Sequence, residues 1–233
     1  MEEVTSRVNS KSLYDVIREM RTQKAQFSRL LYVGRLNSED RLSRIDIGEE
    51  TEKWIFENGK DEFTGIQLSI AQHFIHILEA SSTEALYDLL GWLQKLNETD
   101  HPPFSALNVL ALTEDNPTRL YGFWAQKTLT SQASNEEMSH IRVEEKAWEV
   151  YNNMCMIGQK VSQVLGTKVN TGSALASALK STATDLTPSP ELLAALCSDR
   201  FPALEDFLVM YQGPITVVQD NELIWPTPPE LEF

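Results

Sequence analysis

Residues 63–80, FTGIQLSIAQHFIHILEA, alternate in polarity and read as two strands around a tight turn. Successive side chains of a strand point to opposite faces. On the first strand (63–71) Ile66, Leu68 and Ile70 therefore share one face, and Gly65, Gln67 and Ser69 share the other. On the second (73–79) Phe74, His76 and Leu78 oppose Ile75 and Ile77. Upstream, 27–34 (FSRLLYVG) reads as a strand ended by Gly34. A helix then starts at Leu42 or Ile47 and runs to Glu57, with Ile47, Trp54 and Ile55 on its apolar side and Asn58-Gly59 as its stop. Downstream, Ser82-Thr83-Glu84 opens a helix whose stripe is Leu86, Leu89, Leu90, Leu93 and Leu96, ending at Asn97. His101-Pro102-Pro103 breaks the chain, and 105–112 and 120–129 read as two more strands around the turn TEDNPT. The order is β-α-β-β-α-β-β. Right-handed crossovers make this an α+β, ferredoxin-like antiparallel sheet with both helices on one face.

The flanks have a different pattern. Residues 1–27 predict a lead-in helix, with Ser12 as its cap and a narrow stripe of Leu13, Val16, Ile17 and Met20. After the linker SQASNEE, the residues Ala147, Val150, Met154, Ile157, Val161 and Leu165 trace a long amphipathic helix to Gly166. A short helix at 173–179, a loop, and a helix pair at 191–197 and 202–211 follow, with Pro202 in a first turn. ITVV and ELIW predict a terminal hairpin before an extended proline-rich tail. The expected organisation is an N-terminal helix (1–27), a central domain (28–130) and a mainly helical extension (131–233).

Composition narrows the function classes. At 42% hydrophobic and 23% charged, the chain can bury a core. No apolar run approaches the roughly 18 residues of a membrane span, and the amino terminus has no apolar signal segment. A net charge of −14 repels phosphate backbones and anionic lipid, so neither nucleic acid nor membrane is an expected partner. Cys155 and Cys197 form no disulfide framework, and His73, His101 and His140 show no metal-ligand spacing with them. No spacing points to nucleophilic or metal catalysis, so no catalytic residue and no metal site is expected. Gly166 to Gly172 lacks the end of a phosphate loop.

Four anchor points in the central domain carry a resemblance: Tyr32, Asn58, the Thr64-Gly65 pair and Trp124. Tyr32 sits in LLYVGR on the first strand, Asn58 lies seven residues before Gly65 of the Thr64-Gly65 pair, and Trp124 sits in LYGFWAQ on the last strand. His76 lies eleven residues after Gly65, in FIHILEA. In this order and spacing, residues 28–129 resemble a BLUF domain, the blue-light sensor that holds a flavin between its two helices. The resemblance implies a BLUF-type fold and, if flavin is bound, a site for FAD or FMN at Tyr32, Asn58, His76 and Trp124. In that family a glutamine beside the tyrosine bonds the flavin ring. An imidazole presents one nitrogen in any direction and cannot replace a carboxamide's paired donor and acceptor. With His76 at that position, and Ala80 where the family has glycine, the family's photocycle is not expected.

Each of these residues also has a plainer structural reading. His76 between Phe74 and Leu78 reads as a hydrogen-bonded core histidine, Tyr32 and Trp124 as packing aromatics, and Asn58 as a helix C-cap. The extension, with PSPELLAALC, FPALEDFL and ITVVQDNELIWP, is similar to the animal testis-expressed BLUF-like proteins. That likeness implies a non-enzymatic structural or adaptor protein of the cytoplasm and cytoskeleton. Its place would be the motile cilium or sperm flagellum axoneme, its partners other proteins of that assembly, and its cofactor none. The alternative is a flavin-binding sensory domain with altered photochemistry.

Overall fold

The computed structural model describes residues 12–13, 26–37, 46–59, 62–129, 142–165, 172–182 and 185–213. Seven elements come first: β1 (Phe27–Leu36), α1 (Ile47–Glu57), β2 (Phe63–Ile70), β3 (His73–Ala80), α2 (Thr83–Asn97), β4 (Phe104–Asn116) and β5 (Trp124–Leu129). Four helices follow: α3 (Val143–Leu165), α4 (Gly172–Thr182), α5 (Pro190–Leu196) and α6 (Leu204–Gln212). The expected lead-in helix beyond Leu13, the linker, the glycine-bearing segment before α4 and the terminal hairpin and tail lie outside the described residues.

The first seven elements follow the β-α-β-β-α-β-β order. The sheet order is β4-β1-β3-β2-β5. β1 pairs antiparallel with β3 and β4, β2 pairs antiparallel with β3, and β5 joins β2 in parallel. The fold is thus ferredoxin-like with a fifth strand at the β2 edge, and the C-terminal part is helical.

Local chemistry sets the helix ends. Asp46 caps α1 through its carboxylate, which accepts from the Gly48 and Glu49 amides, and Ser82 caps α2 at the Ala85 amide. α1 ends where the expected stop pair lies, with Asn58 as C-cap and Gly59 at φ +109°.

The alternation along β2 and β3 divides the core into two layers. Leu30, Phe63, Phe74 and Leu78 pack with Ile47 and Ile55 of α1, the α2 leucines, and Leu204, Phe207 and Leu208 of α6. Leu31, Val33, Ile66, Leu68, Ile75 and Ile77 meet Val150, Met154, Ile157 and Val161 of α3, with Leu179 of α4 and Leu193 of α5. α1 and α2 share one face, as the pattern predicts, and α6 packs there with them, while α3, α4 and α5 cover the other.

Two connections differ from the sequence reading. β4 and β5 are not a hairpin; they lie at opposite edges of the sheet. β4 runs on through the expected turn to Asn116, and 120–123 do not join β5. The reason is Glu79, whose buried carboxylate accepts from the Leu120 and Tyr121 amides at 3.0 Å and draws the connection across the sheet. The same carboxylate pairs with Arg29 at 2.8 Å and accepts from Thr64 Oγ1. α5 and α6 are not a packed pair either, since they contribute to opposite layers. The chain crosses between them around the β4 edge, where Ala203 bridges Asn108 and the Pro202 carbonyl accepts from the Val109 amide. Pro202 therefore precedes α6 and is not in its first turn.

α3 is fastened to the β4–β5 connection. Tyr121 Oη donates to the Met154 carbonyl at 2.6 Å and Ser162 Oγ to the Leu120 carbonyl at 2.7 Å. Gly158 is the point of closest approach, since a Cβ there would enter the Tyr121 ring.

Gly65 is required for a different reason. Its φ is +151°, and a Cβ would strike the Ile77 carbonyl oxygen of the neighbouring strand. Gly65→Ala is expected to cost clearly more than about 1 kcal/mol, since the residue can neither adopt the angle nor find the space. The urea midpoint of the purified variant checks this; an unchanged midpoint would contradict the assigned geometry.

Candidate functional site

β1, β3 and β2 carry Tyr32, His76 and Gln67 as direct cross-strand partners, and β5 places Gln126 beside Gln67. Strand alternation points the row at the layer filled by α1 and α2. Tyr32, His76 and Gln67 are fully buried.

His76 is held at both ring nitrogens. Tyr32 Oη lies 2.7 Å from Nδ1, and Trp124 Nε1 donates to Nε2 at 3.0 Å. An indole N–H can only donate, so Nε2 must carry its lone pair and the proton sits on Nδ1. Nδ1–H therefore donates to Tyr32 Oη. Burial pushes the imidazole down to about 3, and the ring is neutral throughout the physiological range. It is not a sensor of physiological pH. Burial also drives the Tyr32 phenol well up, so that group stays protonated.

Rings pack in the same layer as this row. Trp54 of α1 and Trp92 of α2 lie 5.9 Å apart between centroids, and Trp54 meets Phe63 edge-on at 5.4 Å. Tyr32 packs edge-on against Phe74 at 6.1 Å. Gln126 lies over Gly48, where a Cβ would overlap its amide, so β5 and the start of α1 are in close contact.

Of the four residues singled out from the sequence, three meet: Tyr32, His76 and Trp124. Asn58 does not join them. It is exposed at the C-cap of α1, its Nδ2 donating to the Trp54 carbonyl at 2.8 Å. A flavin edge approaching His76 would find both ring nitrogens bonded by protein groups, and one approaching Asn58 would find one of its two amide N–H groups already on the helix. The residues do not fit a flavin held in the way the resemblance implies.

The residue that sequence reasoning passed over is Gln67. Its face was evident from the alternation, but its significance was not. Neither amide atom has a hydrogen-bond partner although both are buried. A buried unsatisfied amide costs about 1–3 kcal/mol. Gln67→Leu, which keeps the volume and removes both polar atoms, is therefore expected to stabilise the protein by roughly that amount. Chemical denaturation tests this, and a clear loss of stability would show that the amide has a partner that matters.

The family model for testis-expressed protein 47 matches residues 26–213, which spans β1 through α6 and so the whole of this site. The chain belongs to the testis-expressed protein 47 family. Three solved structures are among those similar to this family member. A bacterial light-regulated adenylyl cyclase is 23% identical at a TM-score of 0.35, over 54% of this chain and 34% of that one, so only about a third of the cyclase is spanned. BlsA in its photo-activated state is 18% identical at 0.34, over 68% of this chain and 95% of that one. The BLUF domain of BlrP1 is 14% identical at 0.35, over 69% and 91%. The fold of this testis-expressed protein 47 family member stands on the strand order and pairing of its own sheet.

Proposed function

We propose that this chain is a non-enzymatic structural or adaptor protein of the motile cilium or sperm flagellum axoneme, using a BLUF-like scaffold to bind other proteins. One observation carries the reading: the histidine at the position of the flavin-bonding residue has both nitrogens committed, to Tyr32 and to Trp124. The scaffold is kept while its ligand-facing group is spent on the protein itself. Among the described residues no three His, Cys, Asp or Glu side chains gather to hold a metal, and no helix is long and apolar enough to cross a membrane. Membership of a testis-expressed family favours a setting in which flagella are built. Exposed apolar side chains supply surfaces for partners: Val209, Met210 and Tyr211 on α6, Trp148 on α3 and Phe56 on α1.

Proximity labelling with the full chain in motile ciliated cells tests this. Enrichment of axonemal proteins is expected; a diffuse distribution with no axonemal enrichment would overturn it. One observation favours the second reading, a flavin-binding sensor with altered photochemistry: the unpartnered Gln67 amide, on the same face as His76. Retention of FAD or FMN by the purified protein would support that reading.

A further inference from the structure

A second polar cluster lies on the opposite face of the sheet, at the end where β1 finishes and β3 begins. Arg35 and His73 are cross-strand partners there. Arg35 Nε donates to Ser105 Oγ at 3.0 Å. No carboxylate among the described residues pairs with its guanidinium, although the chain has 34 acidic side chains against 20 Lys and Arg.

His73 is only 8% exposed, and neither ring nitrogen has a partner. Burial lowers its proton affinity, and the Arg35 charge lowers it further. The turn after α5 closes over the same end. α5 packs on β3 and β1, so the turn that follows it starts beside these two strands. In that turn Ser198 has a buried hydroxyl with no partner. Its backbone is fixed, since Asn108 Nδ2 donates to the Ser198 and Phe201 carbonyls, and Asn108 pairs with Val33, two residues before Arg35.

What these groups lack decides what they can hold. The guanidinium has donors and no acceptor, a neutral imidazole offers one N–H, and the unpartnered Ser198 hydroxyl offers one O–H, while the Ser105 hydroxyl is already donated to the Arg35 carbonyl. The missing partner is an acceptor with several oxygens, and the permanent charge on Arg35 makes an anion the best match. Unpartnered buried polar atoms call for such an explanation. The C-terminal end of α5 works against an anion, but the helix is only seven residues long and Arg35 carries a full charge. Asp199, beside Ser198, is exposed and has no ion pair with Arg35.

We propose that Arg35, His73 and Ser198 form an oxyanion-binding site that takes a phosphate or carboxylate group. It is separate from the Tyr32–His76–Trp124 row, since it lies on the face covered by α3, α4 and α5. Bound oxygens would accept from the guanidinium, the imidazole and the Ser198 hydroxyl, and the anion would raise the proton affinity of His73.

The test is a titration of the full chain at low ionic strength with inorganic phosphate and, separately, with acetate, read by NMR at the His73 ring. Saturable binding of at least one anion is expected, with the imidazole pKa rising on saturation. Saturation by phosphate alone identifies a phosphate site, and by acetate alone a carboxylate site. Arg35→Ala, a change at an exposed side chain, should weaken binding about tenfold or more, the worth of one charged hydrogen bond. His73→Asn, as a second variant, should also weaken binding while leaving the circular dichroism spectrum unchanged. The proposal is overturned if neither anion saturates, or if Arg35→Ala binds as well as the unaltered chain.

Discussion

Glu79→Ala is expected to cost about 3–5 kcal/mol, because it leaves a buried guanidinium without its charged partner. Arg29 is 7% exposed at its side chain and Glu79 is fully enclosed. The loss reaches beyond the ion pair. The carboxylate also holds the Leu120 and Tyr121 amides, and Tyr121 and Leu120 in turn hold α3 through Met154 and Ser162. Amide hydrogen exchange in α3 should accelerate in the variant more than exchange in α2. The double variant Arg29→Met, Glu79→Leu should recover a large part of the loss, since no charge remains buried, but not all of it, because the two amides stay unsatisfied. Urea denaturation of the three chains gives the comparison. A Glu79→Ala loss below about 1 kcal/mol, the range of an exposed pair, would contradict the account.

The second large effect is acid sensitivity from His76. Its folded proton affinity, about 3, lies below the ordinary value of 6.5. The unfolded state therefore binds the proton more readily. The contribution of the neutral, buried ring is complete above about pH 6.5 and is lost as the pH falls toward 3. The loss should amount to roughly 2 kcal/mol by pH 5 and roughly 4 kcal/mol by pH 3. Carboxylates titrate in the same range, so the quantity to measure is the difference between the unaltered chain and His76→Gln. That difference should shrink by about 2 kcal/mol between pH 7.5 and pH 5 in denaturant titrations. A difference independent of pH would mean that His76 is not buried as a neutral ring.

Much of the central domain was legible because alternation reports which face a strand side chain takes. Ile66, Leu68 and Ile70 on one side, and Phe74, His76 and Leu78 on the other, read from the pattern as they lie in the sheet. The reading of Asn58 as a helix stop rested on the same local logic. Periodicity is silent about partners, however. It marked α3 as amphipathic without saying that its apolar side closes the second face of the sheet. It could not separate β4 from β5, because the group that parts them, Glu79, lies more than 40 residues away in sequence from the amides it captures. α5 and α6 looked like a pair for the same reason: two short apolar helices in tandem carry no mark of the sheet edge between them. The site was half legible. Tyr32, His76 and Trp124 could be placed from spacing, while Gln67 looked like an ordinary polar strand residue until its burial and missing partners were known. Arg35 and His73 could not be brought together without the β1–β3 register.

The chain has a BLUF-like fold in which both ring nitrogens of His76 are already bonded, to Tyr32 and to Trp124. The most direct test is an absorbance spectrum of the purified full-length protein, taken after incubation with excess FAD or FMN and gel filtration. The account predicts a colourless protein that elutes free of flavin. A stoichiometric flavin band that stays with the protein peak would contradict it.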